Sequence, residues 1–379
     1  MLGGAISVLP GDTSSQQSAI AVLRDDTPIV AFRERATPGG NADVFVMRWR
    51  GTEWELMGGL LSAHPGASFA DWPALTVDEF DRPVVAWEER PEGGQRGIPV
   101  YRHEAGSWTA VGDPQSGQPG DTDANLPAVA TRGSRLVTCW HEADGSTPPI
   151  NSRVFASEWD GTAWVGLGEP LDKLPGATRG IRCDIALHPG DETAYVAWME
   201  MDTAGRFGVH VARHDGSEWI DLPDPPPGFS EGAGPSVPQI AFDPSGRLHI
   251  AFHDADSSGA AANHIFVRRW NGTDWDDFGS PSMALPGLEG GSNTPGLAFD
   301  QVGRPLVAFR GDGSLGGIYV RRYNGTAWVA VGRLGAPGMF TPVTEPSLTT
   351  TACGDPVVSW QGSSERSGPS NVYAARYVR

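Results

Sequence analysis

Pro295-Gly296-Leu297-Ala298-Phe299, Pro305-Leu306-Val307-Ala308-Phe309, Ile318-Tyr319-Val320-Arg321-Arg322-Tyr323 and Trp328-Val329-Ala330-Val331-Gly332 are four short apolar or alternating runs in close succession. The turn from Asp300 to Arg304, a Gly-rich stretch and the dipeptide Asn324-Gly325 separate them. Runs of this length bounded by turn residues read as strands, and Asn-Gly between two of them is a tight hairpin. Four short strands per unit are the sequence form of a propeller blade.

The same unit recurs along the chain. Arg50-Gly51-Thr52-Glu53-Trp54, Ala105-Gly106-Ser107-Trp108, Asp160-Gly161-Thr162-Ala163-Trp164, Asp215-Gly216-Ser217-Glu218-Trp219, Asn271-Gly272-Thr273-Asp274-Trp275 and Asn324-Gly325-Thr326-Ala327-Trp328 place their tryptophans 53 to 56 residues apart. In a chain of 379 residues that period predicts seven units, at about 15–59, 70–112, 124–168, 180–222, 235–279, 292–332 and 345–379 completed by 1–10. The last unit stops in its third strand, and Met1-Leu2-Gly3-Gly4-Ala5-Ile6-Ser7 resembles Leu56-Met57-Gly58-Gly59-Leu60-Leu61-Ser62. The expectation is one all-β domain, a seven-bladed β-propeller of four-stranded antiparallel blades whose ring is closed by the N-terminal strand. Such closure removes both sheet edges.

The Asn/Asp-Gly-Thr/Ser-x-Trp turns resemble those of the sialidase-like repeat propellers, whose Asp-box hairpins end in a Gly-x-Thr-Trp turn. This resemblance implies the propeller fold over the whole chain. The Ser-x-Asp that opens an Asp-box is absent from all six copies, so no catalytic residue is carried over.

Composition narrows the partners. A formal net charge of −18 argues against a nucleic-acid backbone or an anionic membrane, which attract clustered Lys and Arg. No apolar run is long enough to span a bilayer. With 50 Gly, 32 Pro and 39% hydrophobic residues, the chain is turn-rich but able to bury a core. Cys139, Cys183 and Cys353 are too scattered for a disulfide framework or a paired-Cys zinc site, which leaves the redox compartment open. A secreted or periplasmic location is expected, although Met1-Leu2-Gly3-Gly4 carries no signal segment.

Most aromatic residues fall into columns repeated once per unit, which packing between blades explains. Trp54, Trp108, Trp164, Trp219, Trp275 and Trp328 form one; Phe32, Trp87, Trp140, Trp198, Phe252, Phe309 and Trp360 form another; His103 and His214 substitute in a third. Trp72 stands outside them, in the connection expected between the first two units. Carboxylates also form a column, at the end of the second strand: Glu34, Glu89, Glu142, Glu200 and Asp254. They are expected to make a solvated acidic rim favouring a cationic partner. Asp254-Ala255-Asp256-Ser257-Ser258-Gly259 matches the opening of a calcium loop, so Asp254, Asp256 and Ser258 are the candidate metal ligands and calcium the candidate cation.

Long connections gather on one face of such a ring, and function concentrates on loops carried by a rigid scaffold. Asp71, Trp72, Asn125, Arg182, Asn293 and Glu345, at the starts of the inner strands, border that face with His141, His253 and Arg310. The candidate ligand-binding residues are therefore Asp71, Trp72, Glu89, His141, Glu142, Arg182, Glu200, His253, Asp254, Arg310 and Glu345. A glycan, small-molecule or protein ligand at this face is the expected partner, with neither nucleic acid nor membrane. A binding propeller is favoured, because no unique catalytic set stands out. The alternative is a carboxylate-dependent hydrolase or lyase acting on a carbohydrate or related small molecule in the channel, which needs an acid of raised pKa.

Overall fold

A computed structural model describes residues 1–378 except 10–12, 36–39, 118–121, 144–150, 175–177, 230–233, 256–262, 283–290, 313–315, 335–343 and 364–368, and leaves the side chains of 344 and 345 undescribed. Among the described residues there are 27 strands and no helix. They follow one plan, in which a first strand pairs with a second, the second with a third and the third with a short fourth, all antiparallel. The first strands are Ser14–Val22, Ser68–Val77, Ala124–Arg132, Arg179–Leu187, Ser236–Phe242, Gly291–Phe299 and Thr344–Thr350. The set ending in Asn371–Arg376 has three strands. A single parallel pair, Ser152 with Arg179, merges two neighbouring sets into an eight-stranded sheet, so the sheets number six.

Each first strand packs on the first strand of the next set, and Thr344–Thr350 packs on Ser14–Val22. The second strands are the core. Pro28–Arg35 and its equivalents run almost continuously buried, as expected of strands covered on both faces. The N-terminal segment lies along the last set: Ile6 pairs antiparallel with Val372, its N–H donating to the Val372 carbonyl at 2.7 Å, and the Leu2 N–H donates to Ala374 at 2.9 Å.

The aromatic columns bind neighbouring sets together. Phe32, Trp87, Trp140, Trp198, Phe252, Phe309 and Trp360 are all buried. In the hairpin column each indole N–H donates to a carbonyl in the chain entering or leaving the preceding set: Trp54 to Leu2, Trp108 to Met57, Trp164 to Val111, Trp219 to Leu167, Trp275 to Pro223 and Trp328 to Phe278. At the hairpins the Asp160, Asp215, Asn271 and Asn324 side chains accept from the backbone two and three residues on, the local bond that makes Asx residues turn formers. His103 and His214 pack edge-on against Trp108 and Trp219, at 5.0 and 5.1 Å between ring centroids.

The acid column departs from expectation. Glu34, Glu89, Glu142, Glu200 and Asp254 are buried, with at most 2% of any of them exposed, instead of forming a solvated rim. Each carboxylate sits under the connection arriving from the preceding set and accepts that connection's N–H groups and hydroxyls. Glu89 takes the Ser62 and Ser68 hydroxyls at 2.6 Å, the Ala63 and His64 N–H groups at 2.8 and 2.9 Å, and the Trp87 indole N–H at 2.8 Å. Glu34 does the same with Ser7, Thr13 and Val8, Glu142 with Ser116, Gly117 and Trp140, and Glu200 with Lys173, Leu174 and Trp198. Asp254 accepts from Gly228 and Phe229. Buried carboxylates require such donors, and connections turning back into a sheet have N–H groups to offer. Two cysteines also pair: Cys139, in the second strand of one set, is disulfide-bonded to Cys183 in the first strand of the next, with 6.4 Å between their Cα atoms.

Candidate functional site

Every first strand carries a register shift against its second strand near its start, between Gln16 and Ala19, Asp71 and Ala74, Ser236 and Gln239, Asn293 and Gly296, and at the equivalent points of the other three. The bulged residue is left-handed in six of them: Gln17, Trp72, Leu126, Arg182, Val237 and Thr294 have φ of 49 to 52°. Non-glycine residues avoid this region, and β-branched Val237 and Thr294 most of all, so the same strained backbone repeated six times marks a site where geometry outweighs local preference. All six line one cavity of about 210 Å³ among the first strands. Trp72 therefore belongs to a first strand, where it occupies the bulge, and not to a connection.

Beside each bulge stands the second-strand residue that precedes the acid column: Arg33, Glu88, His141, Met199, His253, Arg310 and Gln361. Six of the seven are polar, and they pair in register with Gln16, Asp71, Asn125, Ile181, Ser236, Asn293 and Thr344. Here the backbone repeats while the side chains do not, which separates this layer from the aromatic columns.

Arg182 is central to it. Its guanidinium lies 5.6 Å from the centroid of the Trp72 ring, a cation–π contact between two first strands. Among the described residues no carboxylate lies within ion-pair distance of Arg182, whereas Arg33 pairs with Asp71 and Arg310 donates to Asp312 at 2.8 Å. His141 and His253 flank the same charge. Burial, and then the positive charge of Arg182, lower both imidazoles to about 4, so both are neutral at pH 7. His253 Nε2 meets the Ser236 hydroxyl at 2.7 Å, while His141 Nδ1 and His253 Nδ1 have no hydrogen-bond partner among the described residues. Glu88, lifted by burial, accepts the Leu126 N–H at 2.9 Å and lies 3.9 Å from Arg96.

Of the residues expected from sequence, Trp72 and Arg182 line this cavity, Asp71 precedes Trp72 in its strand, and His141 and His253 feel the charge of Arg182. Arg310 shares the layer but is neutralised by Asp312. Glu89, Glu142, Glu200 and Asp254 stand next to the layer, each accepting hydrogen bonds from a connection. Glu345 lies in the strand Thr344–Thr350, and Asp256 and Ser258 lie outside the described residues. Among the described residues no three His, Cys, Asp or Glu side chains are placed to share a metal ion.

Sequence reasoning passed over Arg33, Glu88 and Gln361, and also Asp184. The Asp184 carboxyl accepts the Ile185 N–H and, from the next first strand, the Ile240 N–H at 2.7 Å; burial pushes it up to about 7. One signal was present. Pro73, Pro127, Pro238, Pro295 and Pro346 follow the bulge position, and proline inside a strand marks a bulge or an edge.

No family model and no curated protein matches this chain. Solved structures do, at low identity and over almost the whole length. A protein of unknown function from Dyadobacter fermentans is 13% identical over 99% of this chain and 98% of its own, with a TM-score of 0.57. A PL25 ulvan lyase, a polysaccharide lyase bound to -[GlcA(1-4)Rha3S]-, is 10% identical over 97% and 94%, with a TM-score of 0.60. A Trypanosoma rangeli sialidase in complex with the inhibitor DANA is 11% identical over 87% of this chain and 57% of its own, with a TM-score of 0.51. These likenesses establish the fold, a β-propeller resembling the sialidase-like ones.

Proposed function

We propose that this chain is a seven-bladed propeller, closed by its N-terminal segment, that binds an acidic glycan at the bulged mouth of its channel. The observation that carries this reading is Arg182, a cation without a carboxylate partner among the described residues, held over an indole on strained backbone. A guanidinium recognises carboxylate or sulfate through its N–H edge while its face lies on an aromatic ring, and an indole takes the apolar face of a sugar. In a protein of net charge −18 such a spot draws anions only locally, so it suits an anionic group carried on a saccharide. Because the acids are buried, the column offers no solvated rim to a cationic organic or protein partner. Support for seven blades comes from the chain of first-strand contacts that returns from Thr344–Thr350 to Ser14–Val22. Two of the structural neighbours are, by their descriptions, a lyase bound to -[GlcA(1-4)Rha3S]- and a sialidase with an inhibitor, which agrees with a carbohydrate ligand.

The test is calorimetric titration with uronate-containing, sulfated and neutral oligosaccharides. Binding of an acidic member, lost in Arg182→Met at unchanged melting temperature, supports the assignment; equal affinity of parent and variant overturns it.

The enzyme reading is favoured by one set of observations. His141 and His253 are neutral, each with a nitrogen that has no partner among the described residues, and Asp184 can hold a proton near neutral pH. Release of reducing or unsaturated ends from an acidic polysaccharide, lost on replacing either histidine, would establish it over binding alone.

Calcium at Asp254, Asp256 and Ser258 is kept as a proposal, supported by Asp254 Oδ1, which is buried without a hydrogen-bond partner. Millimolar calcium should then raise the melting temperature of the parent and not of Asp254→Ala. The disulfide supports an oxidising compartment.

A further inference from the structure

A second cavity, of about 800 Å³, opens between the connection Gly112–Gly117 and the third and fourth strands of the set that follows. Trp159 and Trp164, 5.6 Å apart between centroids, stand in its wall with Phe155, and Asp113 and Glu169 are exposed at its lining. Its volume is that of a small-molecule site.

The repeat breaks its own rule here. Where each arriving connection pairs with the third strand of the preceding set, the side chain is Ile6, Leu61 or Leu171 in three other sets, all buried, but Gln115 in this one. Two positions before the buried aromatic column the other six sets have Val30, Val85, Val196, Ile250, Val307 and Val358, all fully buried; this one has Thr138. Ser157 completes the group. The three polar side chains are buried, with 6, 0 and 4% exposure for Gln115, Thr138 and Ser157. The Thr138 hydroxyl donates to Gln115 Oε1 at 3.1 Å, Ser157 bonds the same oxygen, and Gln115 Nε2 is left buried with no partner among the described residues.

An orphaned buried amide is costly, and apolar packing does not call for polar Gln115 and Thr138 at positions that are apolar in other sets, both bonded to Ser157. They make sense if a ligand entering the cavity, which Gln115 lines, draws its buried amide toward itself and supplies the missing acceptor. The fixed carbonyl oxygen of Gln115 turns its NH2 into a donor, the indoles and Phe155 offer apolar faces, and Asp113 and Glu169 accept hydroxyl protons. An anion is disfavoured by those two carboxylates, and no described cation lines the cavity.

We propose that this cavity is a second binding site, taking a neutral saccharide unit whose hydroxyl or ring oxygen accepts from Gln115 Nε2 while its C–H face packs on the indoles. This site is independent of the channel mouth and of Arg182.

Isotope-edited NMR of the indole N–H signals, with calorimetry, would be run on the full chain against maltotriose, cellotriose, mannotriose and choline. The expected result is that one neutral trisaccharide shifts the Trp159 signal, with affinity roughly tenfold or more weaker in Gln115→Leu. The triple variant Gln115→Leu, Thr138→Val, Ser157→Ala restores the apolar layer, so it should melt no lower than the parent and still lose the ligand. Arg182→Met should bind it normally, which separates this site from the acidic-glycan reading. Failure of all three saccharides to bind, binding that survives in the triple variant, or choline as the ligand would each overturn the proposal.

Discussion

Arg182 and Trp72 meet although their first strands, Arg179–Leu187 and Ser68–Val77, are separated by a third, Ala124–Arg132; the guanidinium stands 5.6 Å from the ring centroid. Both residues reach that contact from left-handed bulges, with φ of 50 and 51°. Replacing Arg182 therefore removes a charge that several neighbours feel. Arg182→Met should raise the pKa of both His141 and His253 from about 4, burial remaining as the larger cause. Titration followed by imidazole proton shifts checks this. In the parent both imidazoles should stay neutral down to about pH 5, and values near the ordinary 6.5 would show that neither burial nor Arg182 acts on them as the structure has it.

The two lowered imidazoles and the raised Asp184 carboxyl act on stability with opposite sign. Burial lifts Asp184 to about 7, against the Ile240 and Ile185 N–H groups that favour its ionised form. Between about pH 4 and pH 7 the folded chain keeps a proton that the unfolded chain has released, so this contribution is whole at low pH and is lost as pH rises. Asp184→Asn retains an acceptor for Ile240 and cannot titrate. Its stability relative to the parent should improve steadily from about pH 5 to about pH 8 in chemical denaturation. A constant difference across that range would mean that Asp184 is ionised throughout.

Glu89 should be among the most sensitive positions of the acid column. Burial opposes its ionisation, yet the Ser62 and Ser68 hydroxyls, the Ala63 N–H and the Trp87 indole hold it below the ordinary carboxylate value. Glu89→Leu strands these donors in a buried place and should cost roughly 3–5 kcal/mol, whereas the exposed Glu55→Leu should change stability by less than about 0.5 kcal/mol. Because the folded pKa is depressed, the Glu89 contribution should be present above the ordinary carboxylate range and fade as pH falls through it. A Glu89→Leu variant as stable as the parent would return the column to the solvated rim expected from sequence.

What could be read in the sequence was local. Asn324-Gly325 and its counterparts encode their hairpin within five residues, and the spacing of Trp54, Trp108 and Trp164 carries the repeat, so strands, order and all-β class follow from short stretches. The acid column was visible as a pattern, but its meaning was not, because the donors to Glu89 come from Ser62 to Ser68 in the arriving connection. Whether a carboxylate is solvated or buried depends on that second segment. The meeting of Arg182 with Trp72, and the pairing of Cys139 with Cys183, depend on how whole sets are placed beside each other, which no window of the sequence contains. Trp72-Pro73 and Thr294-Pro295 did carry a sign of the bulges, since a proline cannot donate to the ladder.

The N-terminal segment offers the sharpest test of the closed ring. Residues 1–8 supply the Leu2 and Ile6 N–H bonds to Ala374 and Val372, the carbonyl that receives the Trp54 indole, and the Ser7 hydroxyl and Val8 N–H on Glu34. Ile6 is 1% exposed, packed in a cluster with Phe45 and Val372 that spans the first and last sets. Deleting residues 1–8 therefore bares one edge of Asn371–Arg376, leaves Glu34 buried with fewer donors and empties an apolar site between two sets. Each loss alone is worth roughly 1–3 kcal/mol, so together they approach the whole stability of an ordinary domain. The deleted chain should melt far below the parent and self-associate through the open edge, in a calorimeter and by light scattering respectively. Adding a peptide of residues 1–8 in trans should recover part of the melting temperature. A deletion that leaves the transition unchanged would mean that the first and last sets hold together without this segment, and closure would have to rest on the contact between Ser14–Val22 and Thr344–Thr350 alone.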